Sequence, residues 1–239
     1  MRAMATPLLL GHRGLRMPRL APENTFAAFD LAIEHGCDGF EFDVRLSGCG
    51  RALVCHHPRV GNVTVSRADS QQLLDVPQLG AVLSRYGQRV FLDIELKVDG
   101  LETELIAALR EHPPARDYVV SSFIPDVILE VVARSAKIPV GIICEKSSQL
   151  ARWSKLPVEY VIAHHSLVKP KLVEEIHQAG RKIIVWTVND ARSMQRLADL
   201  EVDAIVSDNT QLLVSTLKPA KSKANHNSSG GKGSRLATG

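Results

Sequence analysis

The chain has no stretch near the about 18 consecutive apolar residues that a membrane-spanning helix needs, and no amphipathic membrane-binding segment, so no stable membrane anchor is expected. Its start, MRAMATPLLLGHRG, breaks at Gly11 and His12, which favours a buried first strand over a leader. Cysteine is sparse: Cys37, Cys49, Cys55 and Cys144 form neither a CxxC pair nor a disulfide framework, so reduced thiols in a cytoplasmic protein are expected. No internal repeat of fixed period is present, and no glycine-rich phosphate loop follows the first apolar run. The first absence sets aside a repeat array, and the second weighs against a doubly wound nucleotide-binding sheet. From Lys218 to Gly239 there are five basic residues and no acid. Removing those five from the formal charge of +3 leaves −2 for residues 1–217. The Ser/Gly/Lys-rich tail, 218–239, is expected to be disordered, and five scattered charges do not make a nucleic-acid arm.

What is present is apolar material in short pieces. Hydrophobic residues make up 45% of the chain, enough for a sizeable core. Runs rich in Val, Ile, Leu or Phe occur at 7–11, 39–46, 89–97, 118–123, 140–145, 160–165, 182–188 and 204–208, each of strand length. Helical periodicity fills the gaps, with Asn24 or Thr25 and Asn189 or Asp190 as N-caps, Pro170 in a first turn, and Gly36 and Gly180 as stops. Eight strand–helix units predict an α/β fold, a single (β/α)8 TIM barrel over residues 1–217. One segment departs from the pattern. ALVCHHPRV and the stretch to Asp75 add an extra short strand and loop after strand two, and long insertions of this type lie at a barrel's catalytic face.

Ionisable residues gather at the ends of the first three units: His12, Arg13, Glu41, Asp43, His56, Glu95 and Lys97. Residues i and i+2 of a strand share a side, about 6–7 Å apart. Glu41 and Asp43 therefore project together, as do Asp93, Glu95 and Lys97. Carboxylates converging in a partly dry site repel one another unless a cation offsets them. Oxygen-only ligation by Glu41, Asp43 and Glu95 suits one hard divalent ion, Mg²⁺ or Ca²⁺. His12 and His56 are then candidates for a general acid–base pair, with Arg13 and Lys97 positioned to hold phosphoryl oxygens. His164 and His165 end the sixth apolar run and are expected at the same face.

The motifs GHRG (11–14), PENT (22–25), EFDV (41–44), His56, ELK (95–97), SSF (121–123) and WTVN (186–189) together resemble the glycerophosphodiester phosphodiesterase family over about residues 8–213. The resemblance implies a metal-dependent barrel enzyme that hydrolyses small-molecule glycerophosphodiesters to glycerol 3-phosphate and an alcohol. It implies His12 and His56 as the catalytic pair and Glu41, Asp43 and Glu95 as metal ligands. Arg13 and Lys97 would be phosphate contacts, Glu23 would stand close to the metal, and Trp186 would be an aromatic lining the substrate pocket. Lysophospholipase D or sphingomyelinase D-like activity, or a barrel that binds a diester without turnover, are the alternatives. The oligomeric state is left open. The chain departs from the family pattern at His57, where an Asp is usual, at Ser207-Asp208, where Thr-Asp is usual, and in a short insertion lacking Arg-Thr-Thr.

Overall fold

A computed structural model describes residues 6–17 and 19–218, so the expectation for the tail beyond Lys218 lies outside the described residues. In chain order the elements begin β1 (Leu8–His12), α1 (Phe26–Glu34) and β2 (Gly39–Leu46). The insertion follows as β3 (Ala52–Val54), β4 (Arg59–Val60) and β5 (Val63–Thr64). Then come α2 (Leu79–Tyr86), β6 (Phe91–Leu96), α3 (Glu102–Glu111), β7 (Tyr118–Ser122), α4 (Pro125–Arg134), β8 (Val140–Cys144) and α5 (Ser147–Leu150). The described residues end with β9 (Tyr160–His164), α6 (Pro170–Gln178), β10 (Lys182–Trp186), α7 (Ala191–Asp199), β11 (Ala204–Ser207) and α8 (Thr210–Leu217). Strands β1, β2 and β6 to β11 pair in parallel, and β1 pairs with both β11 and β2, which closes the barrel. The fold expected from the eight apolar runs is the one present. No helix among the described residues is long and apolar enough to cross a membrane.

Strand alternation divides the core in two. On β2, Phe40 and Phe42 point outward, where Phe29 of α1 stacks on Phe40 with ring centroids 4.2 Å apart. Tyr86 of α2 meets the same ring edge-on at 5.1 Å. Inside the barrel, Leu10, Phe91, Val119, Ile143, Ile162, Ile184 and Val206 form a separate buried cluster, so the lower interior is a packed plug. The helix ends follow the sequence signals. Thr25 accepts from the Ala28 N–H at the start of α1, and Asp190 caps α7 through Ser193. Gly36 and Gly180 take φ of +97° and +71° after α1 and α6. The insertion lies along the end of β2, with β3 running antiparallel to it from Val44↔Val54 to Leu46↔Ala52. That pairing brings His56 to the mouth of the barrel.

Candidate active site

Register forces the acids together. In the β2–β6 pair Glu41 lies level with Asp93, and Asp43 with Glu95. Adjacent strands are about 4.8 Å apart, so four inward carboxylates share one patch, and all four are buried. Ligand oxygens of Glu41, Asp43 and Glu95 lie within 4.8 Å of one another. Glu41 Oε1 and Asp43 Oδ1 are buried without a hydrogen-bond partner, although Lys97 Nζ lies 3.3 Å from the latter. Leaving such oxygens unsatisfied costs about 1–3 kcal/mol each, and more when they are charged. Oxygen donors with partnerless lone pairs and crowded negative charge fit a hard divalent cation.

Electrostatics within the patch are divided. Burial, then the charges of Asp43, Glu95 and Asp93, push Glu41 well above the usual carboxylate range. Burial and Asp43 raise Glu95 to about 8 against the pull of Lys97. Burial raises Asp93 to about 7, although the Ser121 hydroxyl donates to it at 2.6 Å. Asp43 moves the other way. Burial opposes its ionisation, but Lys97 at 3.3 Å, Arg13 at 3.2 Å and the Asn24 amide at 2.8 Å outweigh burial.

The GHRG turn has a steric reason. A Cβ on Gly11 would lie 2.0 Å from the Gly14 carbonyl oxygen, and Gly14, at φ +81°, would meet the backbone of Ala28. Arg13 itself takes φ +53°, and its N–H donates to Glu41 Oε2 at 2.9 Å. The Arg13 guanidinium donates to Glu23 Oε1 at 2.8 Å, and Lys97 Nζ donates to Glu95 Oε1 at 2.7 Å. Both cations expected at phosphate are thus engaged with carboxylates. Glu23 is held by Arg13 and Arg16 rather than standing among the three clustered acids.

His12 Nδ1 lies 2.6 Å from Asp208 Oδ1, and its Nε2 lies 3.8 Å from Glu41 Oε2. An ionised carboxylate only accepts, so the proton sits on Nδ1 and Nε2 is the free atom. Burial works against ionisation of Asp208, but the bond from His12 and the His12 charge hold its carboxyl below the ordinary value. Asn189 fixes Asp208 in turn, donating to Oδ2 at 2.7 Å and accepting its N–H at 2.9 Å. His56 hangs from the insertion, where its carbonyl accepts from Arg45 Nε at 2.7 Å. Burial pushes its imidazole down to about 4, with the Asp43 charge pulling the other way.

Seven of the eight residues singled out in the sequence (His12, Arg13, Glu41, His56, Glu95, Lys97 and Trp186) line one cavity of about 190 Å³. Asp43 lies beneath it, 1% exposed. The opposite wall is Phe123, Ile143, Ile162 and Trp186, with Glu145 at the rim. Trp186 meets Phe123 edge-on at 5.6 Å and donates from Nε1 to the Ile162 carbonyl at 3.3 Å. His164 and His165 do end β9 at this face, but outside the lining. His164 packs behind Trp186 at 5.4 Å. Sequence reading missed Asp208, Asn189 and Asn24 as supports of the site. The signal for Asp208 was its place directly after the last barrel strand, next to β1 once the barrel closes.

Comparison with known proteins places this arrangement. The glycerophosphoryl diester phosphodiesterase family model matches residues 12–79 and 83–212. A glycerophosphodiester phosphodiesterase of Caldanaerobacter subterraneus subsp. tengcongensis is 28% identical over 239 aligned positions, covering 88% of this chain and 98% of that protein. A solved phosphodiesterase of Oleispira antarctica, in complex with the product sn-glycerol-3-phosphate, superposes with a TM-score of 0.77 at 27% identity, covering 89% of this chain and 97% of that one. A glycerophosphodiester phosphodiesterase of Thermotoga maritima shares the fold, with a TM-score of 0.74 at 22% identity, covering 88% of this chain and 98% of that one. The matched segments run from His12 at the end of β1 through the other seven barrel strands and the insertion that carries His56, and the chain belongs to the glycerophosphoryl diester phosphodiesterase family.

Proposed function

We propose that residues 1–217 form a cytoplasmic, divalent-cation-dependent enzyme that hydrolyses small-molecule glycerophosphodiesters to glycerol 3-phosphate and an alcohol. The observation that carries this reading is the convergence of Glu41, Asp43 and Glu95, with Glu41 Oε1 buried without a partner, beside two imidazoles. Glu41, Asp43 and Glu95 would hold Mg²⁺ or Ca²⁺. Such an ion polarises a phosphoryl oxygen and offsets the charge that develops during transfer. Four free cysteines, three of them buried, agree with a reducing compartment.

His12 and His56 divide the proton transfers. One takes the proton of the attacking hydroxyl, from water or from the substrate's own glycerol, as the new P–O bond forms. The other protonates the alcohol oxygen as the old P–O bond breaks. Asp208 fixes His12 as the Nδ1–H tautomer, leaving Nε2 to exchange the proton. Lys97, now on Glu95 and Asp43, would have donors to spare for phosphoryl oxygens if a cation took up those carboxylates, and Arg13, held mainly by Glu23, would offer its remaining guanidinium N–H groups. Trp186 and Phe123 give the carbon skeleton of the substrate an apolar wall.

The test is glycerol 3-phosphate release from glycerophosphocholine and a panel of other head groups, with several divalent ions. Activity should vanish in chelator, return with Mg²⁺ or Ca²⁺, and fall about 10²–10⁴-fold in His12→Ala and in His56→Ala. Undiminished turnover in chelator, or in His12→Ala, would overturn the reading. A diester lacking a hydroxyl beside its phosphate separates the two nucleophiles, since normal turnover of it requires water.

A further inference from the structure

Beside the phosphodiester cavity lies a second donor set of different chemistry. Ligand atoms of Glu23, His56 and His57 lie within 4.8 Å of one another. They border a separate cavity of about 290 Å³ between the start of α1 and the insertion, and His56 is the one residue that lines both cavities. His56 Nδ1 is buried and has no hydrogen-bond partner. The exposed His57 ring stands edge-on to His56, with centroids 4.6 Å apart.

Two imidazoles and one carboxylate are a donor set for borderline ions of the zinc type, with water in the open position. Bonds of about 2.1 Å at tetrahedral angles put donor atoms about 3.4 Å apart, so the present spacing of up to 4.8 Å has to shorten by no more than about 1.4 Å. The Glu23 oxygens accept from Arg13 at 2.8 Å and Arg16 at 2.9 Å. Each carboxylate oxygen has a second lone pair, and the Arg16 side chain, 46% exposed, is free to swing away. Arg13, Arg16 and Arg59 repel a cation here, the last from the same cavity wall as Asp75, which attracts one, so binding rests on direct ligation by the two imidazoles and Glu23 rather than on the surrounding charge.

We propose that Glu23, His56 and His57 form a second cation site that prefers Zn²⁺-like ions, next to an all-oxygen set that prefers Mg²⁺ or Ca²⁺. An ion held there takes the His56 imidazole away from the phosphodiester cavity and inhibits turnover. That consequence rests on the acid–base role proposed for His56, but binding of the ion does not.

The decisive measurement is Zn²⁺ affinity of the full chain in excess Mg²⁺, by competition with a chromogenic chelator. One Zn²⁺ per chain is expected. Affinity should weaken at least about tenfold in His57→Ala and in Glu23→Gln, the least that loss of even an outer partner costs at a metal site. Glu41→Gln should keep it. Equal affinity in wild type and His57→Ala overturns the site, as does loss in Glu41→Gln alone. Because His57 is exposed, its removal leaves the fold intact, and a thermal melt checks this for Glu23→Gln. Zn²⁺ inhibition, read against each variant's own Mg²⁺-supported rate, should be weaker in His57→Ala. A chain that turns over no diester still gives the binding result, so failure of the enzymatic reading and failure of this site are distinguishable.

Discussion

Cation binding to the carboxylate patch should release protons, and its affinity should climb steeply with pH. Glu95, raised to about 8 by burial and Asp43, is protonated at neutral pH in the cation-free protein. Glu41 is raised as well, by burial and its three acidic neighbours. A hard cation needs both ionised, so Glu95 must give up its proton on binding, and the upward shift of Glu41 acts in the same direction. For Glu95 alone, the ionised fraction is about 1% at pH 6 and half at pH 8, which multiplies affinity about fiftyfold over that interval. Calorimetric titration with Mg²⁺ or Ca²⁺ at pH 7, in two buffers of different ionisation enthalpy, counts the protons directly. About one per cation is expected from Glu95. Release of none, with affinity flat from pH 6 to 8, would refute the electrostatic picture of the patch.

The same shifts fix how stability responds to pH. The folded cation-free protein keeps the Glu95 proton up to about pH 8, whereas an unfolded glutamate loses it near about 4.3. Between those values the folded state binds more protons than the unfolded state, so stability falls as pH rises through the window. Asp93, raised to about 7, contributes in the same direction over a narrower range. Asp43, held low by Lys97 and Arg13 despite burial, acts in the opposite sense and only at acid pH. Added cation should therefore raise Tm more at pH 8 than at pH 6, as scanning calorimetry at the two pH values would show.

Three substitutions probe the supports of the site. In Asp208→Asn the acceptor that holds His12 Nδ1–H is weakened, and kcat should fall about 10²-fold or more with little change in KM or Tm; a wild-type kcat would remove Asp208 from the mechanism. Asn24→Ala puts at φ +58° a residue that tolerates the left-handed region less well than Asn and deletes both bonds to Asp43, together roughly 3 kcal/mol by denaturant unfolding. Asn24→Gly tolerates the backbone, so it should recover the strain and none of the hydrogen bonding. Phe29→Ala empties the stack on Phe40 and should cost about 3–5 kcal/mol in urea titration, while kcat of the folded fraction stays unchanged.

What could be read from the chain depended on how local its cause was. Glu41 and Asp43 were legible because strand alternation is local: two residues apart, they must share a side, and Phe40 and Phe42 take the other side, against the helices. Caps such as Thr25 and Asp190 were legible for the same reason. Asp208 was not, because it meets His12 across 196 residues, through a contact that exists only when β11 closes onto β1. The partners of Arg13 and Lys97 were also hidden. Spacing places a cation near carboxylates and phosphate alike, and which one it engages depends on what else occupies the cavity.

Closure also explains why the charged groups occupy one side of the mouth. On β2 and β6 every inward acid has a neighbour in register that carries charge or donates: Glu41 beside Asp93, Asp43 beside Glu95, and Asp93 bonded to Ser121 of β7. Arg13 follows β1 and Lys97 follows β6, so each cation enters from an end of the same patch. A buried charge alone among apolar groups costs several kcal/mol, whereas one in a patch shares partners and a prospective cation. The inward positions of β8, β9 and β10 offer no such company: Ile143, Ile162 and Ile184 pack on one another. An acid there would have to be neutral or exposed, and the acid nearest that wall, Glu145, sits exposed at the rim just past β8. The asymmetry that gives a diester one polar and one apolar wall therefore gathers the carboxylates, which raise one another, where Lys97, Arg13 and a bound cation offset their repulsion.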